Sequence, residues 1–222
     1  MSETPTPTPD DQVAAPDEQV AVAAGAGAAV ASGGYPVDVD AQLLPEYSRF
    51  MPLIKWLIVL PHYVVLFFLA IGAMFVGFIA FFATLFTAKY PEGMWNYMVG
   101  VHRWAMRVMA YQMLITDKYP PFTLQETPDD TIQLVAEYPE HVSRWRPLFA
   151  WLIVIPYAIV ASLIFLVAQI CSFFAFFTIL FTKHIPDGLF NVIRNGFTWN
   201  LRTGFYSYWM STEYPPFEWD ED

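Results

Sequence analysis

The sequence predicts an all-α integral membrane protein made of two tandem repeats. Each repeat is expected to hold a long apolar membrane-embedded helix or helical hairpin, an amphipathic helix bearing Arg and Trp, and a Tyr-Pro-Pro-Phe stop. Three observations carry this prediction. The runs Trp56 to Thr87 and Trp151 to Thr182 contain no Asp, Glu, Lys or Arg, and each exceeds the roughly 20 apolar residues that cross a hydrocarbon core of about 30 Å. The chain is 56% hydrophobic and only 14% charged, against about a quarter charged in ordinary soluble domains. At an offset of 95 residues, Ser48 to Phe122 aligns without a gap on Ser143 to Phe217, with 28 of 75 positions identical. That is far above the roughly 6–8% expected from background composition, so the chain is an internal duplication.

Charge is distributed as unevenly as hydrophobicity. The net charge is −10, and residues 1–48 hold eight acids and no Lys or Arg, which leaves the remainder nearly neutral. Residues 1–36, rich in Pro, Ala, Gly and acids, are expected to form a disordered tail, because such a segment cannot bury enough apolar surface to offset the entropy of ordering. The first basic residue is Arg49, so a cleaved secretory signal with a positive start is not expected. Repeat 1 is assigned to residues 37–127, and repeat 2 with its short acidic C-terminus to 128–222. The lone Cys171 excludes an internal disulfide. No basic face argues for nucleic acid.

Along each repeat, the identical residues fall where a helical membrane module needs them. Ser48-Arg49-x-x-Pro52-Leu53 matches Ser143-Arg144-x-x-Pro147-Leu148, and Trp56-Leu57-Ile58-Val59-x-Pro61 matches Trp151-Leu152-Ile153-Val154-x-Pro156. Serine favours a helix N-cap and proline is tolerated in a first turn. Leu85-Phe86-Thr87 followed by Pro91-x-Gly93-x-x-Asn96 recurs as Leu180-Phe181-Thr182 followed by Pro186-x-Gly188-x-x-Asn191, ending the apolar run and starting a new helix. In that helix Asn96, Gly100, Arg103 and Arg107 form a narrow polar stripe, repeated as Asn191, Asn195, Thr198 and Arg202. Tyr119-Pro120-Pro121-Phe122 and Tyr214-Pro215-Pro216-Phe217 close the repeats.

These spaced motifs resemble those of a bacterial membrane family, domain of unknown function 4389, in two tandem copies spanning about Val37 to Trp219. The resemblance implies membrane location and a repeat fold, and it brings no activity with it. The second copy departs from the pattern at Tyr157 and at Phe197-Thr198, where the first has His62 and His102-Arg103.

Three membrane arrangements fit the pattern. One crossing per apolar run, followed by a flat amphipathic helix, would invert the two copies. A helical hairpin within each run would not, since 35 residues allow two shallow crossings of about 26 Å. In the third, the chain breaks at Pro61, spans from His62 to Thr87 and spans back through Met94 to Ile115. The two even-crossing arrangements are favoured, because they place the flanking basic residues on one side and the termini in the cytoplasm. The expected location is therefore the cytoplasmic membrane.

No catalytic, cofactor or metal signature is expected. His62, His102, His141 and His184 are scattered, and no nucleophile elbow, zinc-protease motif or phosphate loop occurs. The candidate residues are those suited to lipid head groups or the interface: Arg49, Arg103, Trp104, Arg107, Arg144, Trp199 and Arg202. Guanidinium groups match phosphate, and Trp rings settle at head-group depth. The leading functional expectation is a non-enzymatic scaffold or bilayer-organising module. Its expected partners are membrane lipids, and a protein partner reached through the N-terminal tail or by self-association. Two rivals stand beside it: a lipid-handling or transport protein using Arg stripes at the repeat interface, and an accessory subunit of a larger membrane complex.

Overall fold

The computed structural model describes residues 34–127 and 129–220. The disorder expected of the N-terminal tail thus falls almost wholly outside the described residues. Composition places Tyr35 and Pro36 in that tail, yet the Tyr35 ring is buried and its hydroxyl lies 3.1 Å from Ser211 Oγ. The folded part begins earlier than composition suggests.

The elements run β1 (Val37–Ala41), α1 (Met51–Ile58), α2 (Leu60–Thr87), α3 (Glu92–Gln112), β2 (Ile132–Ala136), α4 (Arg146–Ile153), α5 (Ile155–Thr182) and α6 (Asp187–Ser207). Proline explains the break between α1 and α2. Pro61 has no N–H to give to the turn below, and the backbone tightens so that His62 N–H donates to Val59 O at 3.0 Å. Pro156 occupies the equivalent place at the start of α5. The long helices end where Ala88 and Lys183 adopt left-handed φ of 58° and 63°. Pro91 and Pro186 then cap α3 and α6, each with an acid in its first turn.

Two expectations are corrected here. The helical hairpin does not form: α2 runs unbroken through Gly72 to Gly77, because the residues between are apolar and offer no polar group to stabilise a turn. The fold is also not all-α. β1 and β2 pair antiparallel with Val39 opposite Leu134, and that pair is separated by the 95-residue repeat offset. The strands are therefore the same segment of the two repeats, although Ala41 and Ala136 are their only identical pair.

That pairing places a pseudo-two-fold axis through the sheet, and contacts elsewhere obey it. Tyr47 N–H donates to Lys183 O and Val142 N–H donates to Ala88 O, at 2.9 and 3.0 Å, so each repeat's entry segment bonds the helix cap of the other. Each strand packs on the other repeat's amphipathic helix, β1 on α6 and β2 on α3. α1 meets α5, and α4 meets α2. The two repeats are thus interlocked within one compact unit, and a cut at residue 127 or 128 does not separate two independent modules.

The result is layered. The sheet covers α3 and α6, which lie against α2 and α5. The core sits between these layers, with Met98, Met106, Ile115, Phe197 and Phe205 nearly inaccessible. The outer surface of α2 is apolar along its whole length: twelve large side chains, from Leu60 to Phe86, are exposed. Met51–Thr87 and Ile155–Thr182 are both long and apolar enough to cross a membrane.

Candidate functional site: buried arginine pairs and an inter-repeat cleft

A stripe of polar residues on an otherwise apolar helix must face either water or polar protein groups. Here Asn96 at its start is exposed and the rest of the stripe faces protein. Arg107 on α3 and Arg202 on α6 occupy equivalent positions and are 4% and 1% exposed. Arg107 Nε lies 2.7 Å from Asp130 Oδ2, and its terminal nitrogens donate to Thr123 O and Gln125 O. Arg202 Nε donates to Val37 O at 3.1 Å, and its Nη2 lies 3.2 Å from Asp220 and 3.5 Å from Asp38. Each guanidinium therefore fastens the strand segment of the opposite repeat to its own helix. Burial raises the pKa of Asp220 above the usual carboxylate range, Arg202 works against the rise, and the neighbouring Asp38 adds to it.

The same stripe fixes the Tyr-Pro-Pro-Phe segments, which fold back over α3 and α6 instead of leading away from them. Arg103 donates to Leu124 O at 3.1 Å and pairs with Glu126 at 2.6 Å. In the second copy, Asn195 donates to Asp220 O at 3.1 Å and accepts from Asp220 N–H at 3.0 Å. The aromatics of these segments form two boxes. In the first, Trp104 Nε1 donates to His62 Nδ1 at 3.0 Å, while His62 stacks on Phe122 with centroids 4.0 Å apart. In the second, Tyr157 stacks on Trp199 at 4.8 Å, with Phe217 and Tyr214 edge-on. Histidine and tyrosine thus fill the same place in the box but stack on different rings, His62 on Phe122 and Tyr157 on Trp199, the equivalent of Trp104.

Of the seven head-group candidates, Trp104, Arg107, Trp199 and Arg202 are buried, and Arg103 is half-buried on Glu126. Each of the three arginines is paired inside the protein, and Trp199 Nε1 is buried without a hydrogen-bond partner, so the expected outward Arg stripe is corrected to an inward one. An Arg-lined path between the repeats loses its basis for the same reason, since the carboxylates of Asp130, Asp38 and Asp220 close it. Arg49 and Arg144 remain exposed, as equivalent residues preceding α1 and α4. Beside them stand Phe50 and Trp145, 75% and 66% exposed.

Sequence reasoning missed a second pair of cations. Lys55 donates to Thr116 O and pairs with Asp117, both at 2.7 Å, and lies 4.8 Å above the Tyr111 ring. Arg146 donates to Ser211 O and Thr212 O and lies 4.9 Å from the Tyr206 ring. Thr116 and Ser211, like Tyr111 and Tyr206, are equivalent, but Lys55 and Arg146 are displaced by one helical turn in the alignment. Position-by-position comparison hides a substitution that conserves geometry.

Between the repeats, α1, α2, α3 and α5 enclose a cleft of about 670 Å³. Its walls are Leu66, Val108, Phe165 and Phe173, interrupted by Tyr63, Gln112, Gln169 and Ser172. Tyr63 donates to Gln112, and Ser172 donates to Met113 O at 2.9 Å. Among the described residues, no group of three His, Cys, Asp or Glu is placed to hold a metal ion.

Duplication, a mostly helical fold and two helices apolar enough to span define the class. The chain belongs to the family of the domain of unknown function DUF4389, which matches it twice, at residues 52–123 and 144–218. No curated protein and no solved structure matches it.

Proposed function

We propose that this protein is a non-enzymatic membrane module that inserts from one side, embeds α2 and α5 along the bilayer plane, and organises the leaflet that holds them. The observation that carries this reading is the division of its surface. Every exposed Asp, Glu, Lys and Arg among the described residues lies outside α1, α2, α4 and α5. Moving a large apolar side chain from water to lipid is worth about 1.5–3 kcal/mol, so the α2 face alone gives on the order of 20 kcal/mol.

The stacking supports the in-plane orientation. Lys55, at the start of the α1–α2 unit, is tied to residues 116–117, while Lys118 reaches Asp130 just before β2. At the other end, Ala88 is held by Val142, just after β2. The strand segment therefore runs alongside α2 with α3 between them. A spanning α2 would carry the sheet and the exposed Asp40, Glu126, Asp129 and Glu137 into the hydrocarbon. Each such charge costs about 2.5–3.5 kcal/mol at mid-bilayer on insertion scales. With α2 in plane, Arg49-Phe50 and Arg144-Trp145 act as paired anchors at head-group depth, and the charged cap lies in the cytoplasm.

Filling one leaflet with two 28-residue helices expands that leaflet relative to the other. Large liposomes mixed with the purified protein at a high protein-to-lipid ratio are expected to tubulate or shrink. Vesicles that bind the protein and keep their shape would remove the bilayer-organising role.

A further inference from the structure

Resting on that membrane reading, we infer that the cleft between α3 and α5 is a lipid site that takes one acyl chain together with the ester or amide carbonyl at its head. The first reason is Gln169. It lies midway along the uncharged helix α5, is exposed, and has no hydrogen-bond partner among the described residues. A side-chain amide left without a partner in hydrocarbon costs several kcal/mol, so its surroundings must supply polar atoms. Gln169 lines the cleft together with Gln112 and Tyr63, which already bond each other.

The chemistry of the lining selects the occupant. The cleft holds no Asp, Glu, Lys, Arg or His, so it offers neutral donors and acceptors and gives no compensation to a buried phosphate. Leu66, Phe165, Phe173 and Phe176 make the remaining wall suited to a hydrocarbon chain. The cleft is lined in part by α2 and α5, whose other exposed faces are apolar, which admits a ligand already dissolved in the membrane. Its volume of about 670 Å³ falls within the roughly 300–1,000 Å³ typical of small-molecule sites.

Residue size makes the two halves differ. Met113 and Leu114 border the cleft, and the equivalent positions in the other repeat are Tyr208 and Trp209. There Tyr208 lies against Gly77, and Trp209 packs edge-on against Phe81 at 5.8 Å. The equivalents of Tyr63, Gln112 and Gln169 are Ala158, Ser207 and Met74, so the polar set is also lost.

The pseudo-symmetry supplies an internal control. Full-length protein would be bound to vesicles of phosphatidylethanolamine and phosphatidylglycerol doped with a phosphatidylethanolamine whose acyl chain carries a diazirine. After photolysis, labelled residues would be mapped by mass spectrometry. Labelling is expected to concentrate on residues 105–114 and 165–176, and to fall about tenfold in both Ala105→Phe, which fills the cleft, and Gln169→Leu, an exposed change that leaves packing intact. Asn200→Phe, at the position equivalent to Ala105, is expected to leave it unchanged. Uniform labelling around α2 and α5, or labelling that survives both cleft variants, would overturn the proposal, as would crosslinked dimers joined through Gln169. Protein that fails to bind vesicles at all would instead overturn the membrane reading beneath it.

Discussion

Arg107 and Arg202 each join an amphipathic helix to a strand segment from the opposite repeat. Removing one partner of a buried ion pair leaves an uncompensated charge, at a cost of about 3–5 kcal/mol. Arg107→Leu is therefore expected to lower the melting temperature in mild detergent substantially, and Arg107→Leu with Asp130→Leu to recover much of the loss. A double variant no better than the single one would show that the pair does not act as a unit. The sequence made these arginines visible through their spacing. It did not show where they point, because Asp38, Asp130 and Asp220 lie in segments with no motif of their own. A helical stripe identifies a polar face without identifying what covers it.

At the scale of elements, helices were legible and strands were not. The charge-free runs predict a long apolar helix or helical hairpin in each repeat, and Pro61 offers a break at the start of one, because these depend on local sequence alone. Val37-Asp38-Val39-Asp40-Ala41 does alternate, but the alternation fails at Val135 in the second strand, and the two pair only across the repeat. Close packing of α5 on α6 was equally hidden. A Cβ on Gly196 would stand 2.5 Å from the Cβ of Ala168, a distance neither backbone can relieve by rotating a side chain. Gly196→Ala is expected to destabilise by about 1–3 kcal/mol, measured as chemical unfolding in detergent, and adding Ala168→Gly should restore most of that. Equal stability of wild type and Gly196→Ala would mean the helices sit farther apart.

For the whole molecule, duplication was plain from the 95-residue offset, but two repeats in tandem became one interlocked body. Exchanged strands, entry segments and helix ends are contacts between residues far apart in the chain, on which identity within each copy is silent. The interlock also decides how charge is arranged: it gathers exposed charge on the cap side and leaves the outer faces of α1, α2, α4 and α5 apolar. From that asymmetry follows the central claim, a module embedded from one side with both ends of α2 on the same side of the bilayer. Single cysteines at Lys89 and Lys118, in a Cys171→Ser background, test it most directly with a membrane-impermeant maleimide applied to each face of sealed vesicles. Both positions should react from one face and stay protected from the other; reaction of Lys89→Cys and Lys118→Cys from opposite faces would contradict the account.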